Sequence, residues 1–85
     1  MSRISSIHIR MARAALGLSF EELARKSGVS ARTIRRIERE DGLKTATQAN
    51  LKLIIQTLEA AGIEFVGTPD NGPGVRLWRS ANEKR

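Results

Sequence analysis

The 85-residue chain has no cysteine, no tyrosine, a single histidine, a single tryptophan and two prolines. Without cysteine, neither a disulfide nor thiolate metal ligation is available. His8 is the only histidine, and the carboxylates are scattered rather than paired. The inventory for acid–base, nucleophilic or metal-assisted catalysis is therefore nearly empty. No glycine-rich phosphate loop follows a strand pattern. The expectation is a protein that is not an enzyme, with no cofactor and no bound metal. His8 itself reads as a solvated residue near the N-terminus. No apolar run is long enough to span a bilayer, and no signal peptide is visible.

What the chain does have is positive charge. Fifteen Lys and Arg stand against nine Asp and Glu, a formal net charge of +6 with a pI near 11.1. The excess is uneven: residues 1–40 hold nine basic and four acidic residues, and residues 41–85 hold six and five. A length of 85 residues makes one small domain. A basic half-domain points to nucleic acid or another polyanion.

The informative stretch runs from Leu18 to Arg39, LSFEELARKSGVSARTIRRIER. Ser19 followed by Glu22 is a capping box that starts a helix. Leu18 is placed to staple against Leu23 or Ala24. Ser27-Gly28-Val29-Ser30 ends that helix and starts the next, with Gly28 free to take positive φ and Val29 as an apolar plug between helices. Ser30 caps a second helix over about Ala31 to Glu40, with Ile34 and Ile37 inward. Arg32, Arg35, Arg36 and Arg39 recur at spacings of three and four, so they share an exposed face. Like charges so spaced repel by roughly 0.2–0.5 kcal/mol per pair; a polyanionic partner removes that cost. The alternative is a merely solvated charged face. The near-pure positive sign, on the second helix of a helix-turn-helix pattern, favours a helix that enters a DNA groove.

LGLSFEELARKSGVSARTIRRIE resembles the Cro/phage-repressor class of helix-turn-helix domain, the XRE family. The resemblance covers about Ile7 to Leu58. It rests on Leu-Gly-Leu-Ser, the Glu-Leu-Ala of the first motif helix, the Gly-Val-Ser turn, and Thr-Ile with Ile-Glu in the second. The resemblance implies base contacts from Ser30, Ala31, Arg32 and Arg36. It implies phosphate contacts from Thr33, Arg35 and Arg39, and from the position of Phe20. The family commonly has Gln there; Phe20 leaves only its backbone N–H. The family also pairs an arginine of its first helix with a glutamate late in the recognition helix, which here implies a structural ion pair between Arg13 and Glu38.

The remaining chain is read as three further pieces. A first helix is expected from about Ser6 to Leu16, with Ile9, Ala12, Arg13 and Leu16 on one face and Gly17 at its end. Asp41-Gly42-Leu43-Lys44 reads as a loop. Thr45 with Gln48 forms a capping-box pattern ahead of a long helix, about Ala46 to Ala61, with Leu51, Ile54, Ile55 and Leu58 inward. Ile63 to Val66 and Val75 to Arg79 alternate around Gly67-Thr68-Pro69-Asp70-Asn71-Gly72-Pro73-Gly74, and read as a β-hairpin with a long loop. Residues 80–85 read as a flexible tail.

The expected fold is mainly α: a lambda-repressor-like, four-helix helix-turn-helix domain over residues 1–62 with a C-terminal β-hairpin over 63–79. A lone ribbon is marginal in water. It is expected to form a dimer through Ile63, Phe65, Val66, Val75, Leu77 and Trp78; the alternative is a ribbon folded back on its own helix. The expected function is a sequence-specific, DNA-binding transcriptional regulator, a repressor acting as a homodimer on a two-fold operator. Its expected partners are double-stranded DNA and a second copy, with RNA polymerase or a cognate toxin as further candidates and no membrane. The expected setting is the cytoplasm of a bacterium or phage host, associated with the nucleoid. Two alternatives stay open: a DNA-binding antitoxin of a toxin–antitoxin pair, and a protein-interaction module that has lost DNA binding.

Overall fold

The computed structural model describes residues 4–39 and 46–78. The expected loop at Asp41 to Lys44, the expected cap at Thr45 and the tail from Ser80 to Arg85 lie outside the described residues. Four helices precede one hairpin: α1 (Ser6–Leu16), α2 (Phe20–Ser27), α3 (Ala31–Glu38), α4 (Gln48–Ala60), β1 (Ile63–Thr68) and β2 (Asn71–Leu77). No helix among the described residues is long and apolar enough to cross a membrane.

Local chemistry explains where the helices begin and end. Ser5, Ser19, Ser30 and Thr47 occupy the four N-caps, each accepting a hydrogen bond from a backbone N–H three residues on. Such caps satisfy donors that the first helical turn leaves without partners. Gly28 ends α2 at φ 80°, a left-handed conformation that residues with a Cβ adopt at a cost. α3 is shorter than the sequence suggests, because Arg39 turns extended, at φ −93° and ψ 133°. The cap of α4 is Thr47, whose hydroxyl accepts from the Asn50 N–H at 3.0 Å.

Among the described residues, nine form the core: Ile9, Ala12, Leu23, Val29, Ile34, Ile37, Ile54, Leu58 and Ile63. All six elements except β2 supply at least one of them or the turn between α2 and α3, and Val75 of β2 packs against the cluster. Leu51 is half-buried against the same core, and Ile55 is half-buried. Helical spacing thus places Ile34 and Ile37 inward as expected from their period.

The hairpin departs from the sequence reading at its turn. Its turn is short: Thr68 pairs with Asn71, so only Pro69 and Asp70 lie between the strands. Gly67 and Gly72 belong to the strands rather than to a long loop. The register shifts between Val66 and Thr68. Gly67 sits at this bulge with φ 73°, and a Cβ there would run into the Gly72 backbone. Pro73 is tolerated because a two-stranded sheet consists of edges only.

The ribbon folds back on its own chain, the alternative that the sequence leaves open. β2 packs against α1, and β1 against α4. Ile63 is fully buried in the core, and Phe65 and Val75 pack against it. Ile63 is therefore no surface for a second copy in this arrangement. Leu77, 48 % exposed, remains accessible, as do the half-buried Val66 and Trp78. On the opposite face Glu64 accepts from Trp78 Nε1 at 2.9 Å and from Arg76 Nη1 at 3.4 Å.

His8 corrects the sequence reading. It is fully buried, not solvated. Its Nε2 lies 2.8 Å from the Val66 carbonyl oxygen, and its Nδ1 accepts from the Ser5 N–H at 3.1 Å. The ring also meets Phe65 edge-on, centroids 5.9 Å apart. A residue near a terminus is buried here because a hairpin 58 positions later closes over it.

Candidate nucleic-acid interface

α2 and α3 are joined by a turn of Ser27-Gly28-Val29-Ser30, and each residue has a physical task. The buried Ser27 hydroxyl accepts from the Val29 N–H at 3.1 Å, which tightens the turn. Val29, 3 % exposed, closes the core between the helices. Ser30 accepts from the Thr33 N–H and donates to Thr33 Oγ1 at 2.9 Å. α3 is thus anchored on one side by Ile34 and Ile37 and carries its arginines on the other.

Arg32, Arg35, Arg36 and Arg39 are all exposed. Ser30 is exposed at the start of the helix, while Ala31 and Thr33 are half-buried. Thr33 Oγ1 accepts from Ser30, which leaves its own O–H to donate. Arg32, Arg35 and Arg39 line a concavity of about 410 Å³ together with Arg10, Arg13, Phe20 and Glu38. Arg36, about 40° round the helix from Arg32, does not line it. Three of the four arginines, Arg32, Arg35 and Arg39, thus border the α1–α2 side through this concavity.

The floor of this concavity is a fixed network. Arg13 donates to both oxygens of Glu38, Nε to Oε2 at 2.7 Å and Nη2 to Oε1 at 3.0 Å. It also donates to the Leu18 carbonyl at 3.0 Å. Glu38 is 5 % exposed and Arg13 is 20 % exposed. Hydrogen bonding to Glu38 outweighs burial and raises the Arg13 pKa above its ordinary value, so the guanidinium is charged throughout. The Arg13 guanidinium lies 4.1 Å from the centre of the Phe20 ring, a cation–π distance. Phe20 carries Arg35 as well, at 5.0 Å.

Two contacts here have no counterpart in the sequence reading. Arg10 donates to the Glu38 carbonyl at 2.7 Å, fixing the C-terminal end of α3. Glu21 pairs with Arg35, Nη2 to Oε2 at 3.0 Å. Arg10 lies one helical turn before Arg13, which is the only hint the sequence offers. The Glu21–Arg35 pair joins residues 14 positions apart on different helices, and no periodicity reveals it.

The capping box at the start of α2 is present in both directions. Glu22 accepts from the Ser19 N–H at 2.8 Å, and Ser19 accepts from the Glu22 N–H at 3.0 Å. The bond from the Ser19 backbone lowers the Glu22 pKa. A carboxylate whose pKa falls on folding stabilises the fold above its unfolded pKa, and that support is lost as the pH drops through the folded value.

Among the described residues no group of His, Asp and Glu side chains could hold a metal ion. The surface is built for a polyanion: exposed guanidiniums on a short helix that is anchored behind by aliphatic packing and a buried ion pair. No curated protein matches the chain. The helix-turn-helix family model matches residues 9–63, which runs from α1 to the first residue of β1. The chain belongs to the helix-turn-helix family and is a DNA-binding regulator of the Cro/phage-repressor (XRE) type.

Proposed function

We propose that the chain is a sequence-specific transcriptional repressor that binds a two-fold operator as a homodimer. The observation that carries this reading is the outward face of α3 and its C-cap, where Arg32, Arg35, Arg36 and Arg39 are exposed on a helix fixed to the core by Ile34 and Ile37. Ser30, Ala31, Arg32 and Arg36 read base edges in the major groove, where arginine pairs bidentately with guanine O6 and N7. Arg35, Arg39, Thr33 and the Phe20 N–H meet phosphates, which set register rather than sequence. Arg13 and Glu38 hold α3 against α1 and contact no DNA. Repression follows from occlusion of RNA polymerase at an overlapping site or from contact with it.

Selection of bound sequences from random duplex DNA tests the reading. An enriched inverted repeat is expected; recovery of sequences no different from the starting pool would overturn it. Arg32→Ala and Arg36→Ala should each cost about 1–3 kcal/mol of binding and relax preference at one base pair. Arg39→Ala should weaken all duplexes alike and flatten the salt dependence by about 0.9 in log–log slope. If all these changes lower specific and non-specific affinity by one common factor, the assignment of base readers is wrong.

The dimer rests on the hairpin. Among the described residues both outer strand edges are unpaired in the two-stranded sheet, and Leu77 leaves an apolar side chain at its end, 48 % exposed. Two copies joined there would present recognition helices about 34 Å apart, roughly one turn of DNA. Cutting the chain after Gly62 would also remove Ile63 from the core, so a point change is the cleaner probe. Leu77→Glu should yield a monomer by sedimentation with an unchanged helical spectrum. An intact chain that sediments as a monomer at micromolar concentration would remove the dimer from the proposal.

A second reading keeps the DNA binding and adds a toxin as partner. What favours it is Leu53, 43 % exposed on α4, which lines a shallow groove with Lys26, Gln56, Ala60 and Ala61.

A further inference from the structure

Glu21 is an acid among the arginines of the DNA-reading face. It lies in the first turn of α2, with its carboxylate on Arg35. Both side chains are more than half exposed, 59 % and 53 %, and an ion pair so placed adds little to folding. A carboxylate at this surface also repels phosphates. An acid in the first turn of α2 suits the helix dipole, as the neighbouring Glu22 already does, but attraction to DNA does not account for one on this face.

Its geometry offers another account. Arg35 is held twice, by Glu21 and by the Phe20 ring. The same ring carries Arg13, which is fixed by two hydrogen bonds to the buried Glu38 and one to the Leu18 carbonyl. A chain of contacts thus runs from the core to the surface: Glu38, Arg13, Phe20, Arg35, Glu21. Among the described residues Arg32, Arg36 and Arg39 have no ion-pair partner. Of the α3 arginines, Arg35 alone has its guanidinium placed by the protein.

We infer that Glu21 is a specificity determinant of the DNA-binding face, tethering Arg35 over Phe20 and penalising phosphates that arrive out of register. The inference rests on the proposed reading of α3 as the DNA-binding helix. A free arginine side chain follows the nearest phosphate on any duplex, which strengthens binding without discrimination. A tethered guanidinium, with a carboxylate beside it, gains a phosphate only where the DNA places one at that spot. The residue lowers affinity for every sequence and lowers it least for the right one.

The test compares the wild type with Glu21→Gln and with Glu59→Gln, which removes the same charge from an exposed position on α4. Each is titrated over a range of salt against a duplex recovered by selection and a scrambled duplex of the same composition. Glu21→Gln should bind the scrambled duplex more tightly, with a log–log salt slope steeper by about 0.9 as Arg35 gains a phosphate. The ratio of selected to scrambled affinity should fall on the order of tenfold. Glu59→Gln should shift both duplexes equally. Arg35→Lys keeps the charge but loses the planar fork and its stacking on Phe20, and should lower the ratio as well. The inference is overturned if Glu21→Gln moves both duplexes by the factor seen for Glu59→Gln, or if Arg35→Lys leaves the ratio unchanged. Losing the N-terminal charge of α2 affects melting temperature, not this ratio. A wild type with no preference between the duplexes would instead remove the proposed function itself.

Discussion

Arg13→Ala is expected to remove about 3–5 kcal/mol of folding stability, the cost of leaving a buried charge without its partner. Glu38 is 5 % exposed and both of its carboxylate oxygens accept from Arg13. Without the guanidinium the carboxylate stays buried at the end of α3 with no cation against it. A small domain holds about 5–15 kcal/mol in total, so this single change removes a large share. The melting temperature should fall by more than about 10 °C. Glu38→Ala should cost less, because Arg13 keeps the Leu18 carbonyl and the Phe20 ring and can reach solvent. Replacing both together, as Arg13→Leu with Glu38→Leu, should recover much of the loss, since a buried pair is often matched by apolar packing of similar volume. Thermal or denaturant unfolding of the four proteins checks this order. Single changes that each cost under about 1 kcal/mol, or a double change no better than the worse single, would show that the pair is not a unit.

The parts of this architecture that were legible beforehand are the parts governed by nearby residues. Ser19 with Glu22, the glycine at position 28 and the Ser30 cap act over three or four positions, so α1, α2 and the start of α3 fall where their sequence places them. The period of Ile34 and Ile37 gave the buried side of α3, and hence its arginine face. Local rules also misled. Thr45 with Gln48 satisfies the capping-box pattern, yet the cap is Thr47, two residues on, and the helix it starts begins at Gln48. Gly67 and Gly72 are turn formers by composition, yet both sit in strands because a bulge also needs positive φ. Contacts between distant positions were not legible at all. Glu21 with Arg35, Arg10 with the Glu38 carbonyl and His8 with Val66 each join elements whose approach is set by packing. The Arg13–Glu38 expectation came from the family resemblance; helical period alone cannot name such a partner.

His8→Ala is expected to release the hairpin from α1 and to cost about 2–4 kcal/mol, from unsatisfied polar groups and a cavity beside Phe65. The Val66 carbonyl can only accept, so Nε2 donates to it at 2.8 Å. Nδ1 is then the acceptor, and it takes the Ser5 N–H at 3.1 Å. One neutral tautomer thus serves two elements: it completes the capping box of α1 and pins β1. The same helix presents Arg10 and Arg13 to α3, so α1 links the hairpin to the recognition helix. His8→Gln separates the two tasks. Gln is a usual capping-box residue at this position of a helix, so it can keep the Ser5 N–H, but it has no second group to hold the Val66 carbonyl at the same time. Amide hydrogen exchange should therefore show hairpin protection lost in both variants, with α2 and α3 better protected in His8→Gln than in His8→Ala. Sedimentation of His8→Gln should also show a weaker dimer if the hairpin carries the interface. Hairpin amides as protected in His8→Ala as in the native chain, with a melting temperature unchanged, would mean that the aliphatic contacts of Ile63 and Val75 alone seat the ribbon.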